Sequence, residues 1–299
     1  EIESGADGIC IGHGTDTMSY TGSALSFFFK NLPCPVVIIG SQRSSDRPSS
    51  DAAINLLNAA TVAGYEDLGE VVVCMMGSTS HKFDYIHRAT RVRKMHSSRR
   101  DTFRSLGTRP LGRIDFDTRK VTYYQPHKKR SNLDDFYSDT KIDEKVAMLY
   151  FYPGMKPDML HSVIDNGYHG VVIIGTGLGH VGSNMYDALE RAQQEEIPVV
   201  MVVQPLFGYV HLRVYETGRE MLARGVIEGE MTLRCSLKIF IILLFTLCLS
   251  LTAISITTDT CSKANYPYSR GTQSETPLEF SEGSPGLSLS VRTDKEMYN

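Results

Sequence analysis

A chain of 299 residues with 41% hydrophobic and 22% charged residues has the makeup of a globular protein able to bury one large or two medium cores. Its formal net charge of −3 excludes a surface that coats nucleic acid over its whole extent, while leaving room for a local basic patch. Cys10, Cys34, Cys74, Cys235, Cys248 and Cys261 form no CxxC pair and read as free thiols of a reducing compartment rather than as disulfides or a metal site.

The first element is a short apolar strand over 8–12, "GICIG", followed at once by the polar residues His13, Gly14, Thr15, Asp16 and Thr17. A helix is expected over about 17–31. "PVVIIG" (35–40) is an all-apolar run, the mark of a strand covered on both faces. "SQRSSDRPSS" is a polar loop in which Ser50 or Asp51 caps the helix "DAAINLLNAATVAG", closed by Gly64. "EVVVCMMG" (70–77) is the next buried strand. The stretch 111–145 changes character, with the hairpin-like "RIDFDTRKVTYYQP" and a polar run expected to connect two domains. A second alternating series follows: strands over 146–152, 170–176 and 198–204, with helices near 156–166, 184–195 and 216–225. Such alternation implies mostly parallel sheets with helices on both faces, and ligands beyond the C-terminal ends of the strands.

Thr15 and Asp16 stand at one of those ends. A Thr hydroxyl is a poor nucleophile and needs a base, and a lysine of lowered pKa would complete a proton relay with the Thr and Asp. On local pattern alone, a simple cap for the following helix explains Thr15, Asp16 and Thr17 as well. The segment 87–105, "HRATRVRKMHSSRRDTFRS", holds seven Lys or Arg residues between Arg88 and Arg104 against the single acid Asp101. It reads as a solvated basic face or as a contact for an RNA backbone or another anionic partner. Lys94, within it, could equally enter an active site. His81, His87 and His96 lack any tight metal-ligand spacing. "GTGLGHVG" (175–182) has no P-loop lysine and reads as a tight glycine turn lining a pocket.

Together these stretches have a familiar order. "DGICIGHGTDTM" resembles the second active-site motif of the bacterial-type L-asparaginase family. "GSQRSSDRPSSDAAINLLNAA", "IHRATRVRKMHSSRRDTFRS" and "QPLFGYVHLRVYETGREMLARGVIEG" closely resemble the D-subunit family of archaeal glutamyl-tRNA(Gln) amidotransferases. The likeness covers about residues 1–230. It implies an α/β, two-domain L-asparaginase-like fold with parallel sheets covered by helices. The domains it suggests are an N-terminal catalytic part at 1–115, a connection at 116–145 and a C-terminal part at 146–230.

The resemblance also implies a glutaminase. In that family a threonine of a "TGGTI"-like motif attacks the glutamine amide, while a second Thr, an Asp and a Lys activate it and handle the proton. By motif match these are Thr15, Asp16 and Lys94, with Asp16 also gripping the substrate α-amino group. "GTGLGHV" matches the glycine loop that approaches the neighbouring protomer's active site in a homodimer, with His180 as a lining residue. Ammonia would pass to a kinase-like partner, the amidotransferase E subunit, which uses ATP and Mg on glutamate bound to tRNA(Gln). The amide hydrolysis itself implies no cofactor, and the setting is cytoplasmic. The alternatives are a stand-alone L-asparaginase and a non-catalytic binding remnant.

Two departures shape the expectations. No "TGGTI" occurs in the sequence, so the attacking threonine is expected upstream of residue 1, and this chain alone is expected to hydrolyse no glutamine. The signal- or membrane-like stretch 231–257, centred on the uncharged "IFIILLFTLCLSLTAISI" (239–256), stands where a closing helix is expected. A frameshift or fused gene model explains it better than a membrane anchor does. The Ser/Thr/Gly/Pro-rich tail 258–299 is expected to be disordered.

Overall fold

A computed structural model describes residues 1–229 of the chain. In chain order the N-terminal part carries β1 (Ile9–Gly12), α1 (Met18–Phe28), β2 (Phe29–Lys30), β3 (Val36–Ile39), α2 (Ala52–Tyr65), β4 (Val71–Met76) and β5 (Phe83–Arg88). It continues with β6 (Val92–Lys94), β7 (Phe103–Ser105), β8 (Gly112–Asp115), β9 (Val121–Tyr123) and β10 (Tyr137–Ser138). The C-terminal part is β11 (Val146–Tyr150), α3 (Asp158–Asp165), β12 (Gly170–Gly175), α4 (Tyr186–Gln194), β13 (Val199–Val203), α5 (Glu216–Ala223) and β14 (Val226–Glu228).

The first sheet has the order β1-β3-β4-β5-β8-β9. β1, β3 and β4 run parallel, whereas β5, β8 and β9 continue it as an antiparallel meander. Alternate side chains of the parallel strands enter two different cores. Ile9, Ile11, Val36, Ile38, Val71 and Val73 pack with Met18 and Leu25 of α1. Cys10, Val37, Ile39, Val72 and Cys74 pack with Ala59, Val62 and Ala63 of α2. The strand sequence moves one way across the sheet while α1 and α2 lie on opposite faces. The two crossovers therefore have opposite hands, and one of them departs from the nearly universal right-handed rule.

The second sheet, β11-β12-β13-β14, is entirely parallel. Leu160 and Ile164 of α3, Ala188, Leu189 and Ala192 of α4 and Met221 of α5 share one core with Val171, Ile173, Val199 and Met201. Strands added in sequence order with a constant hand place every connecting helix on one face. The expectation of helices on both faces thus holds for the first sheet, and among the described residues the second carries its helices on one face.

Several boundaries differ from expectation. β9 extends the first sheet to Tyr123, beyond residue 115, and β10 pairs with β2, so much of 116–145 packs onto the N-terminal part. Here cross-strand pairing outweighs the polar composition. α2 runs one residue past Gly64 and ends with Glu66 in extended backbone, because Gly64 does not take the left-handed conformation of a glycine cap. Cys10, Cys34 and Cys74 are free thiols, and burial pushes Cys10 up to about 11 and also raises Cys74, keeping both neutral. Among the described residues no helix is long and apolar enough to cross a membrane. The apolar run 239–256 and the tail 258–299 lie outside the described residues.

Candidate active site

β1 ends at Gly12, and the chain continues through His13, whose amide donates to the Ile39 carbonyl at 2.8 Å and so stays tied to the end of β3. The His13 ring spans the turn. Nδ1 lies 2.7 Å from the Gly14 carbonyl and Nε2 lies 2.8 Å from Thr21 Oγ1 on α1. Thr17 occupies the N-cap position of α1 but makes no side-chain capping bond. Thr15 and Asp16 face another partner.

That partner is Lys94, the last residue of β6. Its Nζ donates to Thr15 Oγ1 at 2.9 Å and to Asp16 Oδ1 at 2.6 Å, across 79 and 78 residues of sequence. The Lys94 side chain is only 15% exposed, whereas that of Asp16 is 89% exposed. A largely sheltered ammonium therefore bridges a hydroxyl and an open carboxylate at the C-terminal edge of the sheet. An ammonium donating to a hydroxyl oxygen can hold that hydroxyl as a proton carrier, and the open carboxylate is placed to meet a cationic group of a small ligand.

The floor of this corner is backbone. A side chain at Gly40, just after β3, would place its Cβ 2.5 Å from the His13 carbonyl oxygen and 3.2 Å from Thr15 Cγ2. Gly40 is held in turn from α2, where Asn55 Nδ2 donates to its carbonyl at 2.7 Å. The fully buried Asp51 does not cap α2 with its side chain. It accepts the Gln42 and Arg43 amides at 3.0 Å and an Asn55 Nδ2 hydrogen bond at 3.1 Å. Ser50 Oγ accepts the Ala52 amide at 3.2 Å instead. Sequence reasoning missed Thr21, Gly40 and Asn55, because each acts through a neighbour that only the fold supplies.

The basic run is largely engaged internally. Arg88 pairs with Glu70 through two nitrogens, Arg99 and Arg104 both bind Asp101, and Arg100 lies 3.1 Å from His81 Nε2. His87 is fully buried against Ser105 Oγ, and burial drives its pKa down to about 3. Among the described residues no group of three or more His, Cys, Asp or Glu side chains is placed to hold a metal ion.

The glycine turn lies on the second sheet. Thr176 and His180 form a two-residue bridge, closed by their backbone amides at 2.9 and 2.8 Å. Gly177 takes a left-handed φ of 55° there and Gly179 a φ of 111°, the latter a conformation glycine alone adopts without strain. His180 Nδ1 lies 3.1 Å from Thr217 Oγ1, and its ring meets Tyr215 edge-on at 5.5 Å. Burial lowers its pKa, and Nε2 is enclosed without a partner. Thr15, Asp16 and Lys94 thus converge. Among the described residues no hydrogen bond or ring contact joins His180 to them.

Known proteins share this arrangement of elements. The asparaginase N-terminal domain family matches residues 1–129, and the glutaminase/asparaginase C-terminal domain family matches residues 145–254, past the described residues. A thermostable L-asparaginase from Thermococcus kodakarensis superposes with a TM-score of 0.71 at 34% identity, covering 82% of this chain and 71% of that one. The chain belongs to the L-asparaginase/glutaminase family. L-asparaginase I from Vibrio cholerae is another family neighbour, with a TM-score of 0.70 at 27% identity, over 80% of this chain and 70% of that one. Curated family members similar to this chain include the glutamyl-tRNA(Gln) amidotransferase D subunit of Methanosarcina barkeri, 49% identical over 78% of this chain and 54% of the relative. Its counterpart from Thermococcus kodakarensis is 49% identical over 77% of this chain and 52% of the relative. The chain spans about half the length of these curated relatives.

Proposed function

We propose that this chain is the glutaminase component of a glutamyl-tRNA(Gln) amidotransferase and that Thr15, Asp16 and Lys94 form the proton-handling half of its amide-cleaving site. The observation that carries the reading is the Lys94 ammonium bridging Thr15 and Asp16, in a chain 49% identical to relatives named as D subunits. Glutamine is the substrate. Lys94 and Thr15 relay the proton between an attacking hydroxyl and the departing ammonia, and the exposed Asp16 carboxylate receives the substrate α-amino group. The attacking hydroxyl comes from a threonine outside the described residues.

In this reading the hydrolysis uses no cofactor. The released ammonia passes to the kinase-like E subunit, which spends ATP with Mg on glutamate carried by tRNA(Gln), in the cytoplasm. A second copy of the chain completes the site from the glycine turn. Phe207, Tyr209 and Tyr215 near that turn are 68%, 62% and 57% exposed, an aromatic surface suited to burial, with His180 beside it as a lining residue.

The test is a pull-down with the kinase-like partner, followed by glutaminase assays with and without tRNA, on this chain and on the chain extended upstream by a segment that carries the attacking threonine. Activity that needs the added segment and the partner and is lost in Thr15→Ala supports the reading. Turnover by the isolated chain that vanishes in Thr15→Ala would instead make Thr15 the nucleophile. A stand-alone asparaginase is the second reading, favoured by the likeness to solved L-asparaginases, and partner-independent turnover of asparagine would establish it.

A further inference from the structure

Lys94 is delivered to Thr15 by a hairpin whose loop is held in an unusual way. β6 and β7 pair in antiparallel register, Lys94 opposite Phe103, and Phe103 is fully buried. The hairpin loop, 95–102, is tied across its neck by the Met95 amide to the Thr102 carbonyl at 2.8 Å and by the His96 amide to Thr102 Oγ1 at 2.8 Å. His96 Nδ1 accepts the Ser98 and Arg99 amides at 3.0 and 3.1 Å. At its end sits Asp101, 6% exposed, the single acid of the basic run. Arg99 grips it with two nitrogens at 2.9 and 2.8 Å, and Arg104 of β7 adds a third bond at 2.9 Å. Burial alone would raise the Asp101 pKa, but the two guanidiniums overcome this and hold it below the usual carboxylate range.

The two arginines stand on either side of the loop's closing turn, one within the loop and one on the return strand. Asp101 therefore cross-links the loop to β7, the strand that fixes the register of Lys94. Bidentate guanidinium–carboxylate pairing is directional, so it limits rotation of the turn as well as its distance. We infer that Asp101 is a positioning residue for Lys94: clamped by Arg99 and Arg104, it sets the end of β6 so that the ammonium reaches Thr15 and Asp16 together. The inference rests on the reading of Lys94 as the relay group. It also gives Arg99 and Arg104, two of the seven cations of the basic run, a purpose other than binding an anionic partner.

The test reads Lys94 directly and needs no turnover. Trace acylation of the full chain at one fixed pH, followed by mass spectrometry of the Lys94 peptide, gives the accessibility and reactivity of that amine against internal references such as Lys145. Asp101→Asn is expected to release Lys94 from its sheltered contacts and raise its labelling rate at least about threefold, the factor that loss of one partly exposed ion pair makes, with Lys145 unchanged. Asp101→Glu should restore most of the protection. Arg99→Ala and Arg104→Ala remove one half of the clamp each at more exposed positions, 54% and 41%, and should move Lys94 in the same direction by less. They keep the question answerable if Asp101→Asn fails to unfold cooperatively on heating. An unchanged Lys94 profile in Asp101→Asn, or in both arginine variants, overturns the inference. Asp16→Asn separates the two readings: if it leaves Lys94 unaltered, the Thr15–Asp16–Lys94 contact itself fails, whatever the clamp variants show.

Discussion

The two halves of the chain build sheets from the same strand–helix–strand unit, yet among the described residues only the N-terminal one brings a hydroxyl, a carboxylate and an ammonium together from distant sequence. In the C-terminal half each helix returns to the same face, and the turn after β12 closes on itself between Thr176 and His180. In the N-terminal half α1 and α2 lie on opposite faces, the sheet continues as a meander, and a separate hairpin carries Lys94 back to the tip of β1. The difference teaches that the strand-end position is necessary but insufficient. A second element must arrive there with a complementary group, and β6–β7 is that element.

The strongest way to break this contrast is to remove the delivered group. Lys94→Met in the partnered enzyme is expected to lower kcat by about 10²–10⁴, the range of a lost general acid–base group, while His180→Ala acts mainly on KM. Steady-state glutamine kinetics on both variants checks this, and equal kcat losses would erase the distinction between the two strand ends. Next in size is the hairpin's anchor. Phe103→Ala should cost about 3–5 kcal/mol of stability, read by denaturant unfolding, since the ring is fully buried among Met75, Val92 and their neighbours.

The meander carries a pH signature of its own. Asp84 on β5 is fully buried, and burial raises its pKa from 3.8 to about 6. The unfolded chain loses this proton at lower pH than the folded one. Stability from the group is therefore full below about pH 4 and falls away as pH rises through 6. Asp84→Asn should gain up to ~3 kcal/mol at pH 8 relative to its effect at pH 4, measured as the shift in urea midpoint. The smallest effect belongs to the glycine turn. Gly179→Ala should cost about 1–3 kcal/mol, because φ is 111° and the new Cβ would meet Met201 Cγ at 2.9 Å. A thermal melt reads it, and the Lys94 contacts should be untouched.

Much of the fold was legible because buried parallel strands advertise themselves. "PVVIIG", "EVVVCMM", "GVVIIG" and "PVVMVV" are uninterrupted apolar runs, and each became a central strand. The polar segment after residue 115 misled because β9 and β10 are short and half exposed, so their pairing leaves little hydrophobic trace. The pairing within the basic run was illegible for a different reason. Seven cations against one acid read as a basic face, and nothing local shows that Arg88 finds Glu70, just before β4, or that Arg99 and Arg104 share Asp101.

The sequence by itself determined which apolar runs are buried strands, the strand-end location of Thr15 and Asp16 and, through long matching runs, the family. Local covalent order and hydrophobic burial carry that information, and both are written residue by residue. Only the tertiary structure decided whether Thr15 and Asp16 cap a helix or meet a lysine. A cap is satisfied within three residues, whereas the Lys94 contact closes 79 residues of chain. Contacts of that separation depend on sheet order, crossover hand and hairpin register together, and those are properties of the packed whole.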